Sequence, residues 1–393
     1  MSTTLQFTTE SNLRISKVRR NMALAGIDAM LIADNTNIYY LCGRVFRGYV
    51  YVPAQGRCVM FVIRPVNIHG SDAVHIRKPE QIPAELQRMG IDLPVNLALE
   101  LDDLPYSDIE RLKNTLTPKA LANASTVMRR TRMIKTDEEI RMIHEDGLKQ
   151  AAVYRQIPRV YKEEMTDVEF QIEVERLLRL EGCLGYYRTS GRLMEINMGS
   201  ILNGDNADNP TPYDFAVGGG GVDLSLPVGA DGRTMKPGTT IMVDMCGNFN
   251  GYQSDMTRVW SVGSIDSFAQ KCHDCSRTIL RELEKMALPG VPLADLFNKA
   301  KEIVEAQGLE SYFMGHRQQA PFIGHGVGIQ LNELPVITPR SKDILEENMV
   351  LAVEPKFVVP KVGAVGVENT YRVTPSGLEC LTPFPEEIAD ITF

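Results

Sequence analysis

The sequence predicts an α+β protein in two parts, a smaller α/β domain over residues 1–125 and a larger mixed domain over 126–393. Three observations lead there. A chain of 393 residues with 44% hydrophobic and 23% charged residues has the length for two domains and the composition of an ordinary globular protein. Strand-like runs alternate with helix-like runs as far as Leu121, the pattern of an α/β unit. Small polar residues then give way, between Ala122 and Thr131, to the basic run Met128-Arg129-Arg130-Thr131-Arg132, after which a new helix signature begins.

In the smaller domain, Leu13, Val18, Met22 and Leu24 fall on one helical face, and Gly26 stops that helix. Residues 28–33 read as a buried strand, Asn35-Thr36-Asn37 as a turn, and 38–41 as the next element. Two further strands are expected at 49–52 and 59–63.

The larger domain opens on a capping box, Thr136 with Glu139 three residues on, and its helix is expected to run to about Ile157. Thr166 and Glu169 repeat the signal, for a helix through Leu180 that Gly182 closes. Residues 185–231 are rich in Gly, Asn, Asp and Pro and include Gly218-Gly219-Gly220-Gly221, which reads as a loop folding close to a substrate or another subunit. The apolar run Thr240-Ile241-Met242-Val243 then ends in Asp244. A turn-rich link with Gly247, Asn248, Asn250 and Gly251 leads to a second strand from Asp255 through Trp260, which makes a hairpin. Helices over Ser267–Met286 and Leu293–Gln307 follow, joined by Leu288-Pro289-Gly290-Val291-Pro292.

Several function classes drop out. A formal net charge of -8 with interspersed signs disfavours nucleic acid as a partner, since phosphate binding needs a basic face. No signal-peptide pattern opens the chain and no run of about 18 apolar residues occurs, so a cytoplasmic protein without membrane contact is expected. Seven scattered cysteines make no disulfide framework, and Cys272-His273-Asp274-Cys275 lacks a second pair at zinc spacing. The glycine run lacks the Gly-Lys-Ser/Thr ending of a phosphate loop.

The chemistry gathers around the hairpin. Antiparallel pairing brings Asp244 and Asp255 into one space, where two carboxylates repel unless one is protonated or a cation lies between them. Three later segments add to them. Gly324-His325-Gly326-Val327-Gly328 holds an imidazole between glycines. Leu351-Ala352-Val353-Glu354-Pro355 ends an apolar strand on a glutamate, and Ala364-Val365-Gly366-Val367-Glu368-Asn369 places another within a strand. Four buried carboxylates with one histidine need compensation. A pair of divalent cations about 3.5 Å apart would supply it, and oxygen-rich ligands with one nitrogen favour manganese, cobalt, iron or zinc.

These residues resemble the pita-bread metallopeptidases, the family of methionine aminopeptidase, aminopeptidase P and prolidase, with the metal-free creatinase as a cousin. The likeness spans nearly the whole chain, its amino-terminal part being similar to the creatinase-type domain and Arg132-Met133-Ile134-Lys135 onward to the start of the catalytic domain. It implies five metal ligands: Asp244 in VDMCG, Asp255 in YQSDMTR, His325 in GHGVG, Glu354 in VEPKF and Glu368 in VGVEN. It also implies two divalent ions, a metal-bridged hydroxide formed as Glu354 takes a proton, catalytic roles for Glu354, His325 and Asn332, and a homodimer.

The pattern departs from the proline-cleaving branch at three positions. Val228, Asn332 and Gly366 stand where that branch carries His, His and Arg. Asn332 donates a hydrogen bond but shuttles no proton. His316, nine residues before His325, reads as an exposed loop histidine rather than a substitute. The expected function is hydrolysis of dipeptides or short peptides of the Xaa-Pro type. The alternative is a non-peptidase enzyme on the same scaffold, a lyase or small-molecule amidohydrolase of the kind represented by dimethylsulfoniopropionate lyase.

Overall fold

The computed structural model describes residues 4–392, and its contacts divide the chain into two compact units, one ending at Arg132 and the other starting at Met133. The first unit is built on strands β1 (Ala29–Ile32), β2 (Arg47–Pro53), β3 (Val59–Arg64), β4 (Ala73–His75), β5 (Asn96–Leu99) and β6 (Ala120–Asn123). Among the described residues they form one sheet in the order β4-β3-β2-β1-β5-β6. The β1–β2 and β2–β3 pairs are antiparallel and the others parallel. Helices α1 (Thr9–Leu24), α2 (Asn35–Cys42), α3 (Ile82–Arg88) and α4 (Tyr106–Leu116) accompany it. Helix α2 corrects the expected turn at Asn35-Thr36-Asn37. Asp34 accepts hydrogen bonds from the Thr36 and Asn37 amides, so the polar triplet is the capped first turn of a helix.

Helix α5 (Ala124–Met133) spans the residues around the expected join at 125/126. Beyond it, both capping boxes form. Thr136 Oγ1 accepts from the Glu139 amide at 3.2 Å while Glu139 Oε2 accepts from the Thr136 amide at 2.9 Å, starting α6 (Asp137–Tyr154); Thr166 and Glu169 start α7 (Asp167–Leu180) in the same way.

Strands β7 (Gly199–Asn203), β8 (Thr240–Gly247), β9 (Ser254–Ser261) and the short β17 (Ala389–Asp390) form a sheet in the order β17-β9-β8-β7. The segment 185–231 is therefore not all loop. β7 was hidden in it because its pairing partner, β8, lies some forty residues on. Helices α8 (Ser267–Met286) and α9 (Leu293–Gln307) keep the expected bounds, and Cys272 and Cys275 are buried free thiols in the apolar core that α8 faces.

The remaining strands are β10 (Gly324–Gly326), β11 (Glu333–Val336), β12 (Val350–Val353), β13 (Lys356–Val359), β14 (Gly363–Gly366), β15 (Asn369–Thr374) and β16 (Gly377–Cys380). The β12–β15 and β13–β14 ladders share one register, Val353 opposite Asn369 and Lys356 opposite Gly366. They are two halves of one long antiparallel pair, interrupted at Glu354-Pro355 and Val367-Glu368. Glu368 therefore lies in this gap and not within a strand, facing Glu354.

Candidate metal centre

The register of the β8–β9 hairpin, Asp244 opposite Thr257 and Asp255 opposite Cys246, puts both aspartates on one face of the sheet. The gap in the second ladder adds Glu354 and Glu368, and β10, paired with β12, adds His325. These five residues and Asn332 line a single cavity of about 340 Å³ whose walls include Met194, Ile196, Phe215, Phe322 and Leu331. Exposed Asp214 is among the lining residues, which include no lysine or arginine.

His325 Nδ1 lies 3.1 Å from the Gly326 carbonyl oxygen. A carbonyl only accepts, so Nδ1 carries the proton and Nε2 keeps its lone pair. That Nε2 is 3.6 Å from Glu354 Oε1 and 3.8 Å from Asp255 Oδ2. Thr257 Oγ1 donates to Glu368 Oε2 at 2.6 Å, and Thr370 Oγ1 both accepts from the Asp255 amide and donates to its carbonyl, holding the two strands together behind the site.

One further residue is in the cluster. The Lys356 ammonium, fully buried, donates to Asp244 Oδ2 at 2.8 Å, Glu354 Oε2 at 2.8 Å and Glu368 Oε2 at 3.0 Å. Sequence reasoning passed over it within VEPKF, although Glu354 and Lys356, two apart in an extended stretch, project to the same side. Burial alone would favour the neutral amine, but Asp244, Glu354 and Glu368 outweigh it and hold the ammonium form well above the ordinary lysine range.

One ammonium does not balance four carboxylates. Burial, reinforced by Glu368 and Asp244, holds the Asp255 carboxyl well above its usual range. Burial likewise pushes Glu368 up to about 8, with Lys356 drawing it down and Glu354 and Asp244 pushing it up. Asp255 Oδ1 is buried without a hydrogen-bond partner, and donor atoms of Asp255, His325 and Glu368 lie within 4.8 Å of one another. Unbalanced charge, an orphaned oxygen and a carboxylate–imidazole donor set fit a divalent cation.

The other singled-out residues lie elsewhere or are otherwise engaged. Asn332 Oδ1 accepts from the Ser190 amide at 2.6 Å and its Nδ2 donates to the Ser190 carbonyl at 2.7 Å, so its amide clamps a neighbouring segment. Val228 is buried and lines a separate hollow with Gln171 and Asn197. His316 bonds Asp208 at 2.9 Å, stacks on Tyr312 and is not among the cavity-lining residues. Besides Lys356, sequence reasoning missed the Lys135–Glu333 pair, 3.2 Å apart and buried, which steadies the loop before Asn332: Glu333 Oε1 accepts from the Ile329 and Gln330 amides.

Residues 141–375 match the model of metallopeptidase family M24, and residues 14–134 that of the creatinase/prolidase N-terminal domain. The chain belongs to metallopeptidase family M24. Among its M24 relatives is an Xaa-Pro dipeptidase of Pyrococcus horikoshii, 26% identical over 385 residues that cover 96% of this chain and 99% of the relative. A putative dipeptidase of Bacillus subtilis is 28% identical over 399 residues, covering 95% and 99%. In fold the chain is similar to a solved Xaa-Pro dipeptidase from Bacillus anthracis, with a TM-score of 0.79, 22% identity and coverage of 96% and 99%. The P. horikoshii prolidase structure has a TM-score of 0.76 at 24% identity, covering 96% and 100%. The α+β architecture is thus the pita-bread type with a creatinase-type amino-terminal domain, and the M24 chain is a hydrolase of a family that uses divalent metal.

Proposed function

We propose that this M24 protein hydrolyses the amide bond of short peptides of the Xaa-Pro type with the help of bound divalent metal, and that it prefers substrates whose far end is neutral or cationic. The observation that carries the reading is the convergence of Asp244, Asp255, His325, Glu354 and Glu368 on one apolar-walled cavity. A bound divalent ion supplies Lewis-acid polarisation of a carbonyl and lowers the pKa of a water. Glu354 Oε1, the oxygen not engaged by Lys356, accepts the proton of the attacking water. His325, fixed in its tautomer by Gly326, offers Nε2 to the metal. The donors favour manganese, cobalt, iron or zinc.

The substrate preference follows from the walls. Among the described residues no lysine or arginine lines the cavity to pair a free carboxylate, and Asp214 would repel one. We also read the protein as a cytoplasmic homodimer without nucleic-acid or membrane partners, on the family resemblance and the net charge of -8. No helix among the described residues is long and apolar enough to cross a membrane.

The test is a panel of Xaa-Pro dipeptides and their carboxy-terminal amides, assayed on chelated protein with and without added manganese, beside His325→Ala. Manganese-dependent hydrolysis, faster on the amides and reduced at least about a hundredfold in His325→Ala, is the expected result. Absence of metal-dependent cleavage across the panel overturns the reading. A second reading, a small-molecule lyase or amidohydrolase, draws on Gly366, which offers no side chain, and on Asn332, whose amide is tied to Ser190. Turnover of a small molecule with every peptide untouched would favour it.

A further inference from the structure

Lys356 is a cation already inside the cluster. Its three N–H groups meet three carboxylate oxygens, at 2.8, 2.8 and 3.0 Å, so the ammonium is fully satisfied. The oxygens belong to Asp244, Glu354 and Glu368, three of the five residues expected to hold metal. A divalent ion on those same oxygens would lie about 2 Å from them, directly against the ammonium. Two like charges in contact in a buried site repel strongly, so the two cations exclude one another.

The backbone fixes the lysine there. Lys356 opens β13 opposite Gly366, and it is 0% exposed. Gly366 has φ +139, and a Cβ there would come within 2.8 Å of the Pro355 carbonyl oxygen and 2.9 Å of Lys356 Cα. Only glycine leaves the lysine backbone where it is.

Asp255 and His325, which Lys356 does not bond, lie in the same cluster. Asp255, His325 and Glu368 offer atoms within 4.8 Å of one another, Glu354 Oε1 lies 3.6 Å from His325 Nε2, and Asp255 Oδ1 has no partner. Charge agrees with this geometry. Four carboxylates less one ammonium accommodate one divalent ion, whereas a second would turn the buried centre positive.

We propose that the Lys356 ammonium stands in place of one of two divalent ions, so that each chain binds a single divalent ion on Asp255, His325 and Glu368, with Glu354 Oε1 beside it left to take the proton. This rests on the reading of the cluster as a metal centre and not on the substrate.

The test reads metal, not turnover, so its failure is distinct from failure of the peptidase reading. Chelated full-length protein is titrated with manganese by calorimetry, and the loaded sample is examined by electron paramagnetic resonance. The wild type is expected to take about one equivalent and to show an isolated-ion spectrum. Lys356→Ala, which empties the position, is expected to rise to about two equivalents with the spectrum of a coupled pair. Two equivalents or none in the wild type overturns the proposal, as does a folded Lys356→Ala that still takes one. If that variant does not fold, the wild-type stoichiometry and spectrum decide alone.

Discussion

Lys356 and Gly366 are register partners across the β13–β14 ladder, and the Lys356 ammonium reaches past that ladder to Asp244 Oδ2 at 2.8 Å. One residue of the pair carries a charged side chain and its partner carries none. The charge of the cluster is therefore set partly by a strand pair and not by its acidic residues alone.

Asn332 ties residue 190 to the β10–β11 connection through two hydrogen bonds, and the segment that follows residue 190 carries the wall residues Met194 and Ile196. Asn332→Ala is expected to loosen that wall, raising KM several-fold while kcat changes less. Steady-state kinetics on the best substrate of the panel checks this. An equal fall in kcat with KM unchanged would instead give Asn332 a part in the chemical step.

The Lys135–Glu333 pair is buried on both sides, with side chains 1% and 2% exposed. Lys135→Met removes the cationic partner of the buried Glu333 carboxylate, at a cost of about 3–5 kcal/mol in stability. Denaturant unfolding of the metal-free protein measures it; a loss below about 1 kcal/mol would show that the pair is not what holds this corner.

Glu100, in the first unit, is fully buried and accepts hydrogen bonds from the Ala33 and Asp34 amides and from Asn37. Burial pushes its carboxyl from 4.5 up to about 7, and those hydrogen bonds only partly oppose the shift. Between the two values the folded chain holds a proton that the unfolded chain has released. The contribution to stability is thus fully present below about pH 4.5 and is lost as pH rises through about 7. Glu100→Gln cannot ionise, so the stability of the variant relative to wild type should rise across that window, by up to about 1.4 kcal/mol per pH unit. Thermal unfolding of both proteins from about pH 5 to about pH 8 tests the sign, and a difference independent of pH refutes it.

What was legible in the sequence is what local chemistry decides. The caps at Thr136 and Thr166 need only a partner three residues away, and the hairpin carrying Asp244 and Asp255 needs only its own turn. Asn35-Thr36-Asn37 misled because the same polar residues serve a turn and a capped helix start, and Asp34 decides between them. The strand Gly199–Asn203 was illegible among glycines and asparagines because its stability comes from pairing with β8. Lys356 was in plain view yet silent. Its meaning depends on Asp244 and Glu368, 112 and 12 residues distant in the chain.

The ammonium of Lys356 is made with the polypeptide and cannot be chelated. Under metal starvation, three of the carboxylates remain tethered to it, so the empty protein keeps its pocket assembled instead of opening like a clasp without its pin.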